Sequence, residues 1–448
     1  MTPLAQTKGA RNFGWLLADR GVRLLVGLVV ATWIARYLGP GGFGLLAFAA
    51  SLTAIFAAVV PLGIDGLVVR EILGRPEERG ATLGTTLWLR LSCAAVCLAL
   101  AIGYVFIARP GDGPALALTL ILGVGLFAQA FETGELMYQA HSDMGRLVRP
   151  RLALFLAINV IKVVAIVNGA SVFWFAGLTA GEQIASGLIT ALLLRRYKHF
   201  GARLGFTPGT ARLLLSQGYP LAISSLAIIV YMKGGQLMLA QMLGDVEMGL
   251  YAAAIRIPDC ALFLPTALAT SVVPALVRAH VAGGSAYESA MIAYMRASAL
   301  LGIAIALPLT LAAPWLIELL FAEAYASAWT TMAIYVWALP FMFLGVARTQ
   351  HLLNERSMNI SLWFSLLGLA LNLGANYALI PAMGRNGAAL ATLVAQIGSA
   401  VFASFLFPST RRLARLQCLA LLTPWLALRD ARRLAARVDS QADSPAAV

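Results

Sequence analysis

Long apolar runs recur along the whole chain, separated by short connections rich in glycine, proline and arginine. The runs predict helices near residues 12–36, 41–63, 83–108, 115–139, 148–168, 171–195, 212–242, 249–276, 294–320, 328–350, 357–381 and 386–408. Most reach the roughly 20 residues that a helix needs to cross the hydrocarbon of a bilayer. Gly39-Pro40-Gly41-Gly42, Pro110-Gly111-Asp112-Gly113-Pro114, and Pro381 with Gly384 supply the breaks. Glycine opens backbone conformations closed to other residues, and proline withholds an amide. The expected fold is an all-α polytopic membrane protein with about twelve transmembrane helices.

Composition supports this. Of 448 residues, 60% are hydrophobic and 12% charged. Soluble domains carry about a quarter charged residues; half that density cannot cover a soluble core, so lipid must solvate most of the surface. The first apolar segment carries Asp19, Arg20 and Arg23 and has no small-residue cleavage site, so no cleaved signal peptide is expected. The four cysteines (Cys93, Cys97, Cys260, Cys418) sit in apolar segments without metal-ligand spacing and read as small buried hydrophobes.

The net charge of +13 is unevenly placed. Alternate connections and the two termini hold 24 lysines and arginines, against 3 (Arg36, Arg109, Arg385) on the other side. The positive-inside rule then puts both termini in the cytoplasm. The basic charge faces anionic lipid, and no nucleic-acid partner is expected. Leu416–Leu428 is too short to span and is flanked by arginines, which suits an interfacial amphipathic helix. From Asp439 onward small polar residues predict disorder.

The helices divide into two sets of six. Leu38-Gly39-Pro40-Gly41-Gly42-Phe43-Gly44-Leu45-Leu46-Ala47 follows the first helix, and Leu243-Gly244-Asp245-Val246-Glu247-Met248-Gly249-Leu250-Tyr251-Ala252 follows the seventh. Asn168-Gly169-Ala170 and Asn386-Gly387-Ala388 precede the last helix of each set. The expected organisation is an N-terminal lobe over 1–195, a cytoplasmic linker over 196–211, a C-terminal lobe over 212–408 and a basic tail over 409–448. Repeats of an even number of spans run parallel, and transporters built this way hold substrate between the halves.

Ionisable groups cost about 2.5–3.5 kcal/mol each at the centre of a spanning helix. Eleven nevertheless fall in the predicted spans: Asp19, Arg20, Arg23, Arg90, Glu132, Glu135, Lys162, Glu182, Lys233, Arg256 and Asp259. They must pair with one another or line a wet cavity. The cations Arg23, Lys162, Lys233 and Arg256, with Arg20 and Arg90 nearer an end, suit an anionic substrate, and an arginine fork suits phosphate. Asp19 and Glu182 would orient them; Glu132, Glu135 and Asp259 are supporting or ion-coupling candidates. Plainer roles stand beside these. Asp19 and Arg23, four apart, can neutralise each other. Arg20 and Arg90 can snorkel to the inner surface, and Glu132 and Glu135 can pair with Arg146 or Arg149.

Catalysis finds no support. His141, His199, His280 and His351 lie far apart in predicted cytoplasmic connections, and there is no phosphate loop, zinc spacing or cofactor motif. Neither enzyme activity nor a cofactor or metal is expected.

Asn12-Phe13-Gly14-Trp15, Ala35-Arg36-Tyr37-Leu38-Gly39-Pro40 with Phe43-Gly44, and Leu62-Gly63-Ile64-Asp65 with Val69-Arg70-Glu71 resemble the polysaccharide transporters. These form the Wzx-like branch of the MOP flippase superfamily, which also holds MATE exporters and MurJ. Gly218-Tyr219-Pro220-Leu221, Gly249-Leu250-Tyr251-Ala252 and Ile380-Pro381-Ala382-Met383-Gly384 agree. The resemblance implies two six-helix lobes with a cationic cavity in the bacterial inner membrane. Its implied activity is movement of undecaprenyl-pyrophosphate-linked oligosaccharide between leaflets by alternating access. It further implies head-group contacts at Arg20 or Arg23 and at Arg256, and polysaccharide polymerase or chain-length proteins as candidate partners. Members often carry an acid where Gly235 stands here. The rival expectations are a MATE-like cation-coupled drug exporter and a non-transporting scaffold of a polysaccharide-synthesis complex.

Overall fold

The structure, a computed structural model, describes residues 3–197, 204–355 and 358–430. These are helices and short connections, with no strand among the described residues. The disorder expected beyond Asp439 and the middle of the linker, 198–203, lie outside them.

Eleven helical stretches among the described residues are long and apolar enough to cross a bilayer. The first, Asp19–Ala57, contains both of the first two expected helices. It belongs to α1 (Pro3–Ala57), in which Gly39 takes φ 67° and ψ 173°. A residue in that conformation interrupts the i→i−4 ladder, and glycine adopts it without steric cost. α1 is therefore two span-length segments, so the expected twelve are present although only eleven continuous stretches are.

After α2 (Asp65–Gly74) and α3 (Arg79–Ala108), the expected helix 115–139 breaks at Glu132 into α4 (Gly113–Phe131) and α5 (Thr133–Ala140). α6 (Gly145–Val167), α7 (Val172–Arg195) and α8 (Pro208–Leu243) match the expectations closely. The expected helix 249–276 is two, α9 (Asp245–Cys260) and α10 (Phe263–Ala282). The amides of Ala261 and Leu262 bond three residues back at this break. There follow α11 (Gly284–Phe321), α12 (Trp329–Tyr335), α13 (Leu339–Asn354), α14 (Met358–Met383), α15 (Arg385–Ile397), a π-helical turn at Gly398–Phe402, α16 (Ala403–Leu406) and α17 (Arg411–Leu422).

The chain forms two compact units, Met1–Ala252 with Leu320–Ala324, and Ala253–Leu319 with Tyr325–Val448. α8, the first helix of the second expected repeat, packs against α1 and α3 within the first unit. Small residues make this possible by letting backbones approach. A Cβ on Gly218 would overlap Ile64 and the Leu62 carbonyl. One on Gly44 would overlap the carbonyl of Asp245, and one on Gly249 that of Pro40. The two copies of the repeated motif thus touch reciprocally, residue for residue, as a two-fold relation requires. Phe48, Leu52, Val105, Leu237 and Met248 form one core beside this contact; Ile64, Val68, Met137, Leu147 and Leu214 form another.

In the second unit the tail helix α17 is part of the core. Leu413 and Ala420 pack with Met291, Met295 and Leu344. One face of the amphipathic helix expected from the sequence is therefore core, and the π-helical turn supplies polar anchors for it. Widening the helix frees carbonyls that a regular helix would use. Arg348 donates to the Ser399 carbonyl, and Gln417 Nε2 donates to the Ala400 carbonyl at 2.7 Å.

Candidate functional site

The first unit gathers four of the eleven predicted charges at one place. Arg23 Nε lies 2.9 and 3.0 Å from the two carboxylate oxygens of Asp19, one turn earlier on α1. Glu182 on α7 stands 4.0 Å from Arg23 and 3.6 Å from Lys162 on α6. Phe155, on the same face of α6, stacks under the Arg23 guanidinium with its centroid 4.9 Å away. Two cations and two acids make a neutral set, which is how buried charge is tolerated in an apolar bundle.

Three more predicted charges fall in a second network with two residues that the sequence reading passed over. Arg90 on α3 is only 4% exposed. It pairs with Asp65 at the start of α2, and its other nitrogen lies 3.4 Å from the Thr133 hydroxyl. It therefore does not snorkel. Arg151 on α6 donates to Glu135 at 2.6 Å, approaches Glu132 at 3.8 Å and donates to Thr190 on α7 at 2.7 Å. Glu132 and Glu135 thus share Arg151, while Arg146 pairs elsewhere. Leu147 is fully buried and sets the inward face of α6; Arg151, one turn on, shares that face. Arg146 points outward and pairs with Asp143 at 3.0 Å. Arg151 could have been found from this i, i+4 relation to an apolar residue. Asp65 stood in the motif Leu62-Gly63-Ile64-Asp65, but nothing in the sequence pointed from it to Arg90.

Arg20, Lys233 and Arg256 are different. None has a carboxylate within ion-pair distance among the described residues. Arg20 and Arg256 are exposed and Lys233 is half-buried. Arg20 and Lys233 belong to the first unit and Arg256 to the second. Asp259, three residues after Arg256, instead accepts from the Tyr335 hydroxyl at 2.8 Å.

Two histidines far apart in sequence meet in the second unit. Tyr287 stacks edge-on against His280 and shares a 2.8 Å hydrogen bond with His351 Nδ1. Glu355 is 3.7 Å from His280, and the group borders a cavity of about 340 Å³.

A sodium, proton or drug path and a lipid-glycan path both need charged residues inside spanning helices, so the charges by themselves leave the class open. The sequence model of the polysaccharide biosynthesis protein family matches residues 10–280. The chain belongs to that family. Polysaccharide biosynthesis proteins of this type are part of the MOP superfamily. No curated protein matches the sequence. Among solved structures, the lipid II flippase MurJ in an inward closed conformation is similar with TM-score 0.73 and 13% identity, over 93% of this chain and 92% of that one. An inward-facing multidrug resistance MATE family transporter gives 0.71 and 16%, over 88% and 95%. A MOP superfamily transporter from Pyrococcus furiosus gives 0.62 and 17%, over 90% and 96%. At these identities the likeness concerns the fold, and this polysaccharide biosynthesis protein shares that fold with flippase and exporter alike.

Proposed function

We propose that this protein carries an undecaprenyl-pyrophosphate-linked oligosaccharide, an O-antigen, capsule or exopolysaccharide repeat unit, across the bacterial inner membrane. Movement runs from the inner to the outer leaflet by alternating access, with both termini cytoplasmic. The observation that supports this reading is that Arg20, Lys233 and Arg256, cations of spanning helices, have no carboxylate within ion-pair distance among the described residues. A cation in an apolar bundle costs free energy unless an anion visits it, and a pyrophosphate is a strong, compact anion that arginine can grip with two parallel bonds. Arg23 and Lys162, shared with Asp19 and Glu182, form a second set of contacts for pyrophosphate or sugar hydroxyls. Polymerase and chain-length proteins are the partners that would consume the product. A drug exporter for organic cations would need accessible carboxylates, whereas Asp19, Glu135 and Glu182 are engaged by cations.

The test is deletion of the gene followed by a leaflet-resolved assay of lipid-linked sugar. Build-up on the inner leaflet is expected. Unchanged leaflet distribution together with altered drug resistance would assign the chain to export instead. Normal surface polysaccharide from a variant with Arg20, Lys233 and Arg256 all neutralised would favour the scaffold.

A further inference from the structure

The tail helix α17 has two faces, and only one is used by the fold. Leu413, Ala414, Gln417 and Ala420 are buried. Beyond the helix, Arg296 fixes the chain again by donating to Thr423 at 3.1 Å and to Asp430 at 2.7 Å. The segment 411–430 is thus held to the second unit at both ends, and its outward face is rigidly presented.

That outward face is ordered along the chain. Arg411 and Arg415, one turn apart, are exposed. Neither has a carboxylate within ion-pair distance among the described residues; Arg411 only reaches the Phe405 carbonyl at 3.3 Å. Next on the same side come Leu419 and Leu422, then Trp425 and Leu428, the last three exposed by 69%, 64% and 67%. Arg429 ends the patch, exposed and 3.9 Å from Asp430. Water would penalise four large apolar side chains in a row, at about 25 cal/mol per Å² of apolar surface. Hydrocarbon alone would penalise the arginines. Only the boundary between headgroups and acyl chains satisfies both, and tryptophan is enriched at that depth.

We infer that residues 411–429 form a docking surface for anionic phospholipid, with Arg411 and Arg415 on the headgroup phosphates and Leu422, Trp425 and Leu428 in the upper acyl layer. The occupant is lipid of the leaflet on which the tail lies, because Arg411 and Arg415 have no carboxylate partner among the described residues, while the acids bordering the patch are already engaged, Glu288 by Arg412 and Asp430 by Arg296 and Arg429. This is independent of the cargo: none of the residues proposed to bind it belongs to the tail.

Native mass spectrometry of the full-length protein, released from mixed phosphatidylglycerol and phosphatidylcholine micelles, tests the proposal. Phosphatidylglycerol should be retained in preference. Arg411→Gln with Arg415→Gln should lower that preference by about fivefold per arginine removed, the effect of one basic side chain at an anionic surface. Both arginines are exposed, and an unchanged melting temperature will show that the variant folds. In nanodiscs, lipids brominated high on the acyl chain should quench a fluorescence component that Trp425→Phe removes. Equal retention of the two lipids by wild type, or a variant that keeps the preference, overturns the proposal. So does a second copy of the chain bound at the patch in place of lipid.

Discussion

Arg109, at the end of α3, places a guanidinium nitrogen 2.7 Å from a carboxylate oxygen of Asp245, the first residue of α9. The same guanidinium lies 3.2 Å from Asp112 and 3.2 Å from the Ala240 carbonyl, and 3.9 Å over the Phe48 ring. One cation so ties four segments beside the reciprocal contact of the two repeated motifs. Removing one partner of a buried pair costs about 3–5 kcal/mol. Asp245 keeps some solvent access, so Arg109→Ala should cost less, about 1–3 kcal/mol. Arg109→Ala with Asp245→Asn should regain part of it. Thermal unfolding in detergent reads both, and equal melting of the single and double variants would show that the pair is not what holds these segments.

The same contact should open if carriage proceeds by alternating access. A Cβ on Gly41 would lie 3.7 Å from Val246 Cγ2, close enough for a cysteine pair to bridge after small adjustment. Gly41→Cys with Val246→Cys, in a background lacking Cys93, Cys97, Cys260 and Cys418, should cross-link on mild oxidation. Lipid-linked sugar should then accumulate on the inner leaflet, and a reductant should relieve the block. Full activity while cross-linked would mean that this contact does not move.

Arg151 is expected to matter for stability more than any charge nominated from the sequence. Arg151→Ala leaves Glu132, at the break between α4 and α5, and Glu135, on α5, without their cation; because both acids keep solvent access, the cost is about 1–3 kcal/mol. Glu135→Gln in the same chain should recover a part of that loss. A double-mutant cycle on melting temperature measures the coupling, and additive effects would place the network's stability elsewhere.

Paired and unpaired cations should separate by readout. Arg256→Ala should leave melting within about 0.5 kcal/mol of wild type, as exposed substitutions do, yet lower surface polysaccharide at equal expression. Lys162→Ala should lower both, because Glu182 loses a partner. Wild-type polysaccharide from Arg23→Ala and Arg256→Ala alike would remove the proposed head-group contacts.

Two glycines admit a sharper steric forecast. Gly249→Ala sets a methyl against the Pro40 carbonyl and Gly44→Ala one against Asp245. Overpacking of this kind costs about 1–3 kcal/mol. Gly103→Ala, where a Cβ meets nothing within 4 Å, is the control and should be neutral or slightly stabilising in the middle of a helix.

The spanning helices were legible because hydrophobic length is a local property. What escaped were the breaks at Glu132 and Cys260 and the π-helical turn; at Glu132 and at the π-helical turn the partners are distant in sequence. Arg348 and Gln417, for example, hold the carbonyls of Ser399 and Ala400. Asp19 with Arg23 could be read from their spacing. Arg90 with Asp65 could not, because the partner stands 25 residues away on another helix.

By itself, then, the sequence determined the membrane class, the number of span-length segments, the repeated glycine motif and the presence of charges that cannot face lipid. These follow from transfer free energies and helix period, which depend on neighbours along the chain. Tertiary structure decided which charges neutralise one another and which have no such partner among the described residues. It also decided that the repeated motifs clasp and that one face of the tail is core. Those outcomes depend on distances between helices, and an apolar run says only that a helix will be buried in lipid or protein, never against which neighbour.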